Sequence, residues 1–203
     1  MKRLFAVAAA MAAMSAAYAN DLEEIREAVS KEHKVLAVDA FHGFNRVIFD
    51  FKGHKAWICS PSREPLKGKP WTWTMQWATA YVPRTNVLQM LRGGYHHVTI
   101  ETFERRMDEK GLEVSADFQR FLVERLGFAP KAYLVGMSWG GFFSVRYAAN
   151  YPGNVAKIYL DAPLLVFDGF KGDIKVVKRG MYGHHPHGVE VDETTIKDFF
   201  EAK

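Results

Sequence analysis

Residues 132–143 (Ala-Tyr-Leu-Val-Gly-Met-Ser-Trp-Gly-Gly-Phe-Phe) constrain the fold more than any other stretch of the chain. An apolar, β-prone run enters Gly136-Met137-Ser138-Trp139-Gly140, and an apolar helical segment leaves it. A strand and a helix joined by so short a turn force Ser138 into a strained backbone conformation, with its hydroxyl projecting above a sheet. Gly136 and Gly140 give strand and helix room to pass close to that turn. The plain alternative is a glycine-rich turn carrying an idle serine.

Other segments can be placed around this turn. Arg46 to Phe51 alternates as a strand, and Gly53-His54 reads as a hairpin turn into a second strand, Lys55 to Ser60. Pro61 to Trp77, rich in Pro, Gly and Trp, reads as a loop. Asn86 to Arg92 reads as a helix ended by Gly93-Gly94, and Tyr95 to Ile100 as a strand. Ser115 can cap a helix running to Leu126, with Gly127 as its stop. Val155 to Leu160 is an apolar strand ending at Asp161, Ile174 to Val177 a short β-branched strand, and Glu193 to Phe200 a terminal helix.

This order predicts an α/β fold: a mostly parallel sheet of about six strands with helices on both faces. Such sheets bind ligands at the carboxyl ends of their strands. The loops after Ser60, Ile100, Leu160 and Val177 are therefore expected on the same rim as Ser138.

The first residues carry a different message. Met1-Lys2-Arg3 precedes an apolar run and then Ala17-Tyr18-Ala19, the pattern of a secretory signal peptide cleaved after Ala19. The expectation is a periplasmic or secreted protein without stable membrane insertion. Residues 20–203 then form one domain, with 20–45 as an N-terminal helix or arm. Lys2 and Arg3 supply two of the four net positive charges, and the other basic residues alternate with acidic ones. No nucleic-acid surface is expected. Cys59 is the only cysteine, so no disulfide forms within the chain, and its apolar surroundings predict a buried, inert thiol.

A serine hydroxyl becomes a useful nucleophile only when a base takes its proton and a third group orients that base. Gly183-His184-His185-Pro186-His187-Gly188 offers the base, in a loop just before the last expected helix. His184 is the first choice; His185 is the alternative and otherwise a pocket residue; His187 lines the pocket or faces solvent. A metal site on the three histidines is the weaker reading, because no carboxylate or cysteine stands at a ligand spacing. No metal or cofactor is expected. Stabilising a developing oxyanion takes two backbone N–H groups. The amide of Trp139 would be one, and an amide near Trp71 to Trp73 the other. Trp71, Trp73, Trp77 and Trp139 can also form an aromatic wall, with Met137 in the pocket, or simply pack in a core.

Pro70-Trp71-x-Trp73, Gly136-Met137-Ser138-x-Gly140-Gly141, Asp161-Ala162-Pro163 and Gly183-His184-His185-Pro186-His187 occur in this order. The set resembles a family of exported bacterial α/β-hydrolases, described as prolyl-oligopeptidase-like or esterase-like. The resemblance runs from about Val47 to Phe200. It implies a Ser-His-acid hydrolase with Ser138 as nucleophile and His184 as base, acting on an ester such as an acylated carbohydrate, or on a peptide. It implies no particular substrate and says nothing of oligomeric state.

One departure from that pattern concerns the acid. Only Ala162 to Asp173 separate the strand ending at Asp161 from the next expected strand, and Ser138 and His184 are 46 positions apart. A parallel crossover usually needs a dozen residues or more, so the strand–helix unit that would carry the acid has no room. Asp161 is the candidate substitute, with Asp168 and Asp173 behind it; alternatively Asp161 caps the next turn, as an aspartate at an Asp-Ala-Pro corner often does. The competing functional reading is a degenerate hydrolase fold that binds without turnover.

Overall fold

In the computed structural model, the described residues are 21–79 and 82–164, with the backbone of 189–191. Helix α1 covers residues 21–32. It is followed by β1 (Val35–Phe41), β2 (Phe44–Phe51), β3 (His54–Cys59) and β4 (Trp71–Gln76). Then come α2 (Val87–Arg92), β5 (His96–Ile100), α3 (Glu109–Leu126), β6 (Ala132–Met137), α4 (Trp139–Asn150), β7 (Val155–Asp161) and β8 (Val189–Val191). The strands form one sheet in the order β1-β2-β3-β5-β4-β6-β7-β8. Strands β5, β4, β6 and β7 make a parallel centre; every other pairing is antiparallel.

Helices cover both faces, as the order of segments predicts. Ile25 and Val29 of α1, Phe118 and Leu122 of α3, and Phe143 and Tyr147 of α4 pack on Val47, Phe49, Trp73, Val98 and Leu134. On the other face, Val87, Leu88 and Leu91 of α2 cover Ile48, Trp57, Cys59 and Val135. Within β2, Val47 and Phe49 face one layer while Ile48 faces the other, as the period of two requires. Cys59 is fully buried, and burial pushes its thiol pKa up, so it is inert as expected.

The structure corrects several boundaries. The arm expected over 20–45 contains β1, joined to β2 by His42 (φ 49°) and Gly43 (φ 85°). Positive φ at both central residues makes this a tight hairpin, and Lys52 (φ 55°) with Gly53 (φ 84°) repeats it between β2 and β3. The stretch expected as a loop to Trp77 contains β4. Every residue of β4 is buried, because a central parallel strand is covered on both faces and shows no polar alternation. Helix α3 is capped by Asp108 rather than Ser115: the Asp108 carboxylate accepts from the Gly111 amide at 2.8 Å. Ser115 is buried inside the helix. The strand expected over 174–177 and the helix over 193–200 lie outside the described residues.

The rim is also corrected. Strand β3 runs antiparallel to β5, with Cys59 opposite His97, so the loop after Ser60 leaves from the far end of the sheet. The loop after Gln76 takes its place beside Ser138.

Candidate active site

Ser138 sits between β6 and α4 with φ 51° and ψ −119°, a combination that side chains with a Cβ rarely adopt. Neighbours hold it there. Its amide donates to the Asp161 carbonyl at 3.2 Å, and its own carbonyl accepts from Gly141 at 3.0 Å and Leu164 at 2.8 Å. The small residues are required by space. A Cβ on Gly136 would come within 2.6 Å of the Gly140 carbonyl oxygen, and one on Gly140 would overlap the carbonyl of Gln76. A Cβ on Gly141 would overlap Pro163. The strained serine turn read from the sequence is thus present, wedged between the ends of β4 and β7.

Trp139 opens α4, so its amide lies at the first helical position, directly after Ser138. The end of β4 reaches the same place, in register with Gly136. Two backbone segments with N–H groups therefore converge on the turn: the start of α4 and the loop opening at Trp77.

Trp71 does not contribute to this end. It begins β4, and Thr72 already lies opposite Tyr133, so Trp71 is at the far end of the parallel pair from Ser138. Its indole donates to the Ala129 carbonyl at 2.8 Å. Trp73 is no pocket residue either: fully buried, it packs edge-on against Phe118 and Tyr147. These two indoles belong to the core rather than to an aromatic wall of the pocket. They occupy the α3–α4 face because β4 is a strand, and positions 71 and 73 share one side of it.

A different aromatic cluster flanks the turn. Trp77 is 37% exposed, and its ring lies 4.3 Å from that of Phe103. Phe103 meets Trp139 edge-on at 5.5 Å. The Arg106 guanidinium lies over both Phe103 (4.3 Å) and Trp139 (5.0 Å). Phe103 and Arg106 follow β5, on a rim loop the sequence points to, although neither residue stands out by type.

Met137 ends β6, half-buried, opposite Asp161. Asp161 is buried at 1% exposure, and its carboxylate is held by Arg84. Arg84 Nη2 donates to Oδ1 at 3.0 Å, and Nε lies 2.8 Å from Oδ2. Arg84 comes from the short helical turn Val82–Arg84 that follows β4, so the pair ties this loop to the end of β7. The sequence offers no signal for it, because 77 positions separate the partners. His184, His185, His187, Asp168 and Asp173 lie outside the described residues. Among the described residues no group of three His, Cys, Asp or Glu could hold a metal ion, and no helix is long and apolar enough to cross a membrane.

The strand order, the parallel centre and the serine turn at its carboxyl edge define a class, and the sequence agrees. Residues 31–178 match the family described as alpha/beta hydrolase fold, and the chain belongs to that family. Among solved structures it is similar to an S-formylglutathione hydrolase from Agrobacterium tumefaciens, with 11% identity, a TM-score of 0.49, and 66% of this chain and 63% of that one covered. It is also similar to an acetyl xylan esterase from Aspergillus awamori (14% identity, TM-score 0.44, 57% and 50% covered). A third is a membrane phospholipase A described as a bacterial virulence factor (16% identity, TM-score 0.42, 84% and 55% covered). The chain spans less than two-thirds of the length of each of these proteins. No curated protein matches its sequence.

Proposed function

We propose that the protein is a serine hydrolase that cleaves a small ester through an acyl-enzyme, with Ser138 as nucleophile. The observation that carries this reading is the left-handed φ of Ser138, fixed on a turn that three glycines and the Asp161 carbonyl hold in place. Strain of this kind persists where the surroundings over-determine it, and it clusters at functional sites.

In this reading the Ser138 hydroxyl attacks the ester carbonyl while His184 takes its proton, with His185 as the alternative base. The developing oxyanion is met by the Trp139 amide and by an amide of the loop opening at Trp77, in place of the Trp71 amide. The base returns the proton to the departing alcohol. Water then attacks the acyl-enzyme, and the same base accepts and returns its proton. Esters of carbohydrates, and peptides, are candidate substrates, and an exported, periplasmic or secreted location follows from the reading of residues 1–19 as a signal peptide.

Covalent labelling by a fluorophosphonate tests the nucleophile. Label on folded protein that Ser138→Ala removes is the expected result; no label, or label on Ser138→Ala, overturns it. One observation favours a second reading, a hydrolase fold that binds with little turnover: the Asp161 carboxylate is already committed to Arg84. Hydrolysis of a short aryl ester by a cooperatively folded sample counts against that reading.

A further inference from the structure

We propose that Trp77, Phe103, Trp139 and Arg106 form a subsite for an aromatic ester that carries a free carboxylate. The proposal rests on Ser138 being the nucleophile and names the substrate class of that site. Three separate elements meet here: the loop after β4, the loop after β5 and the first residue of α4. Trp139 is the chain neighbour of Ser138, and Arg106 lies 5.0 Å from the Trp139 ring centre. The cluster therefore includes the chain neighbour of the proposed nucleophile.

The chemistry of the cluster is specific. Trp77 offers a partly open indole, suited to a planar apolar group. Arg106 is half-buried, so it is not sealed away from solvent, and a guanidinium near ring faces still carries five N–H donors in a fork that suits a carboxylate. Arg26, Arg46, Arg84, Arg120 and Arg125 each meet a carboxylate. Among the described residues no carboxylate contact is seen for Arg106, nor for Arg63, Arg92 and Arg105; Arg106 differs from those three in lying over the two rings beside Ser138's chain neighbour. The chain also takes an unfavourable path to put it there, with left-handed φ values of 48° at Arg106 and 57° at Met107. A flat ring against Trp77 with its carboxylate on Arg106 would place the ester of the same molecule toward Ser138.

The test compares 4-acetoxybenzoate with phenyl acetate, whose aryl groups differ by one carboxylate. The ratio of kcat/KM for the two, charged over neutral, should fall about tenfold in Arg106→Gln and recover in part in Arg106→Lys. An unchanged ratio overturns the proposal, because loss of a mere brace for Trp139 would slow both esters alike. A binding measurement needs no turnover and no Arg106 variant. In Ser138→Ala, 4-hydroxybenzoate should quench tryptophan fluorescence at concentrations where phenol does not, and salt should weaken the effect. Equal responses to the two ligands overturn the subsite. Fluorophosphonate labelling separates the two claims: label without carboxylate preference sinks the subsite alone, and carboxylate-selective quenching without label sinks the nucleophile alone.

Discussion

Gly140 lies against Gln76 so closely that a Cβ on Gly140 would stand 2.8 Å from the Gln76 carbonyl carbon and overlap its oxygen. Both partners in that contact are backbone, one opening α4 and one closing β4, so no side chain can swing aside. Gly140→Ala must push α4 off the sheet or bend the end of β4, an overpacking cost of about 3 kcal/mol or more. A melt should show Tm lowered by roughly 10 °C, at about 2–4 °C per kcal/mol for a chain of this size. Gly153→Ala is the control: nothing lies within 4 Å of its Cβ position, so Tm should not fall and should rise by up to about 4 °C, because alanine narrows the unfolded ensemble.

Ser138→Gly should do the reverse. Ser138 makes no side-chain capping bond to α4, so removing the hydroxymethyl group gives up no hydrogen bond to the helix. It relieves a strained φ and ψ costing about 1–3 kcal/mol, against an unfolded-state penalty for glycine of about 0.4–1 kcal/mol. The variant should melt about 2–4 °C higher while losing all fluorophosphonate label. A lower Tm would show that the turn carries no strain.

The serine turn was legible because its chemistry is local: the strand, the glycines and the helix are contiguous in sequence. The antiparallel strands β2 and β3 were legible for the same reason. β4 was not. Its buried run of Trp, Thr and Met follows Lys67-Gly68-Lys69-Pro70 and resembles a loop until neighbouring strands cover it on both faces. That one omission misplaced Trp71 and Trp73, assigned the rim to the loop after Ser60, and hid the contact between Gln76 and Gly140. The Arg84–Asp161 pair and the Arg106–Trp139 contact were illegible because each joins elements far apart in sequence, and nothing in their spacing brings them together.

The Arg84–Asp161 pair should be asymmetric when its halves are removed. Arg84→Ala leaves a carboxylate at 1% exposure without its cation, whereas Asp161→Ala leaves a guanidinium that is 32% exposed and can reach water. Loss of the arginine should cost about 2–3 kcal/mol and loss of the aspartate about 1 kcal/mol, discounted from fully buried pairs for that exposure. A double-mutant cycle by urea denaturation should return a coupling of about 1–2 kcal/mol. Additive losses would mean the pair does not hold the loop. If Asp161 instead orients the catalytic base, Asp161→Asn would lower kcat steeply at an unchanged Tm.

His97 makes the stability of the fold depend on pH in a defined direction. It is fully buried, its Nδ1 is 2.7 Å from the Thr72 hydroxyl, and burial pushes its pKa down to about 3 from 6.5. Below pH 6.5 the unfolded chain takes up a proton that the folded chain refuses. The contribution is therefore intact above pH 6.5 and declines as the pH falls toward 3, by up to about 1.4 kcal/mol per pH unit. His33, whose pKa is also lowered by burial, adds to the decline with the same sign. Asp21 acts lower down. Burial alone would raise its pKa, but its hydrogen bond and charge contact with His96, with help from Ser60 and Lys69, lower it on balance. Its contribution is present above 3.8 and is lost as the pH falls through its depressed folded value. Between pH 6.5 and 4 the histidines should dominate. Urea melts at pH 7.5, 6 and 5 should show wild-type stability falling while His97→Asn, which keeps a hydrogen-bonding group near Thr72 but no titrating ring, falls less steeply. Parallel curves would mean that His97 takes up its proton in the folded protein.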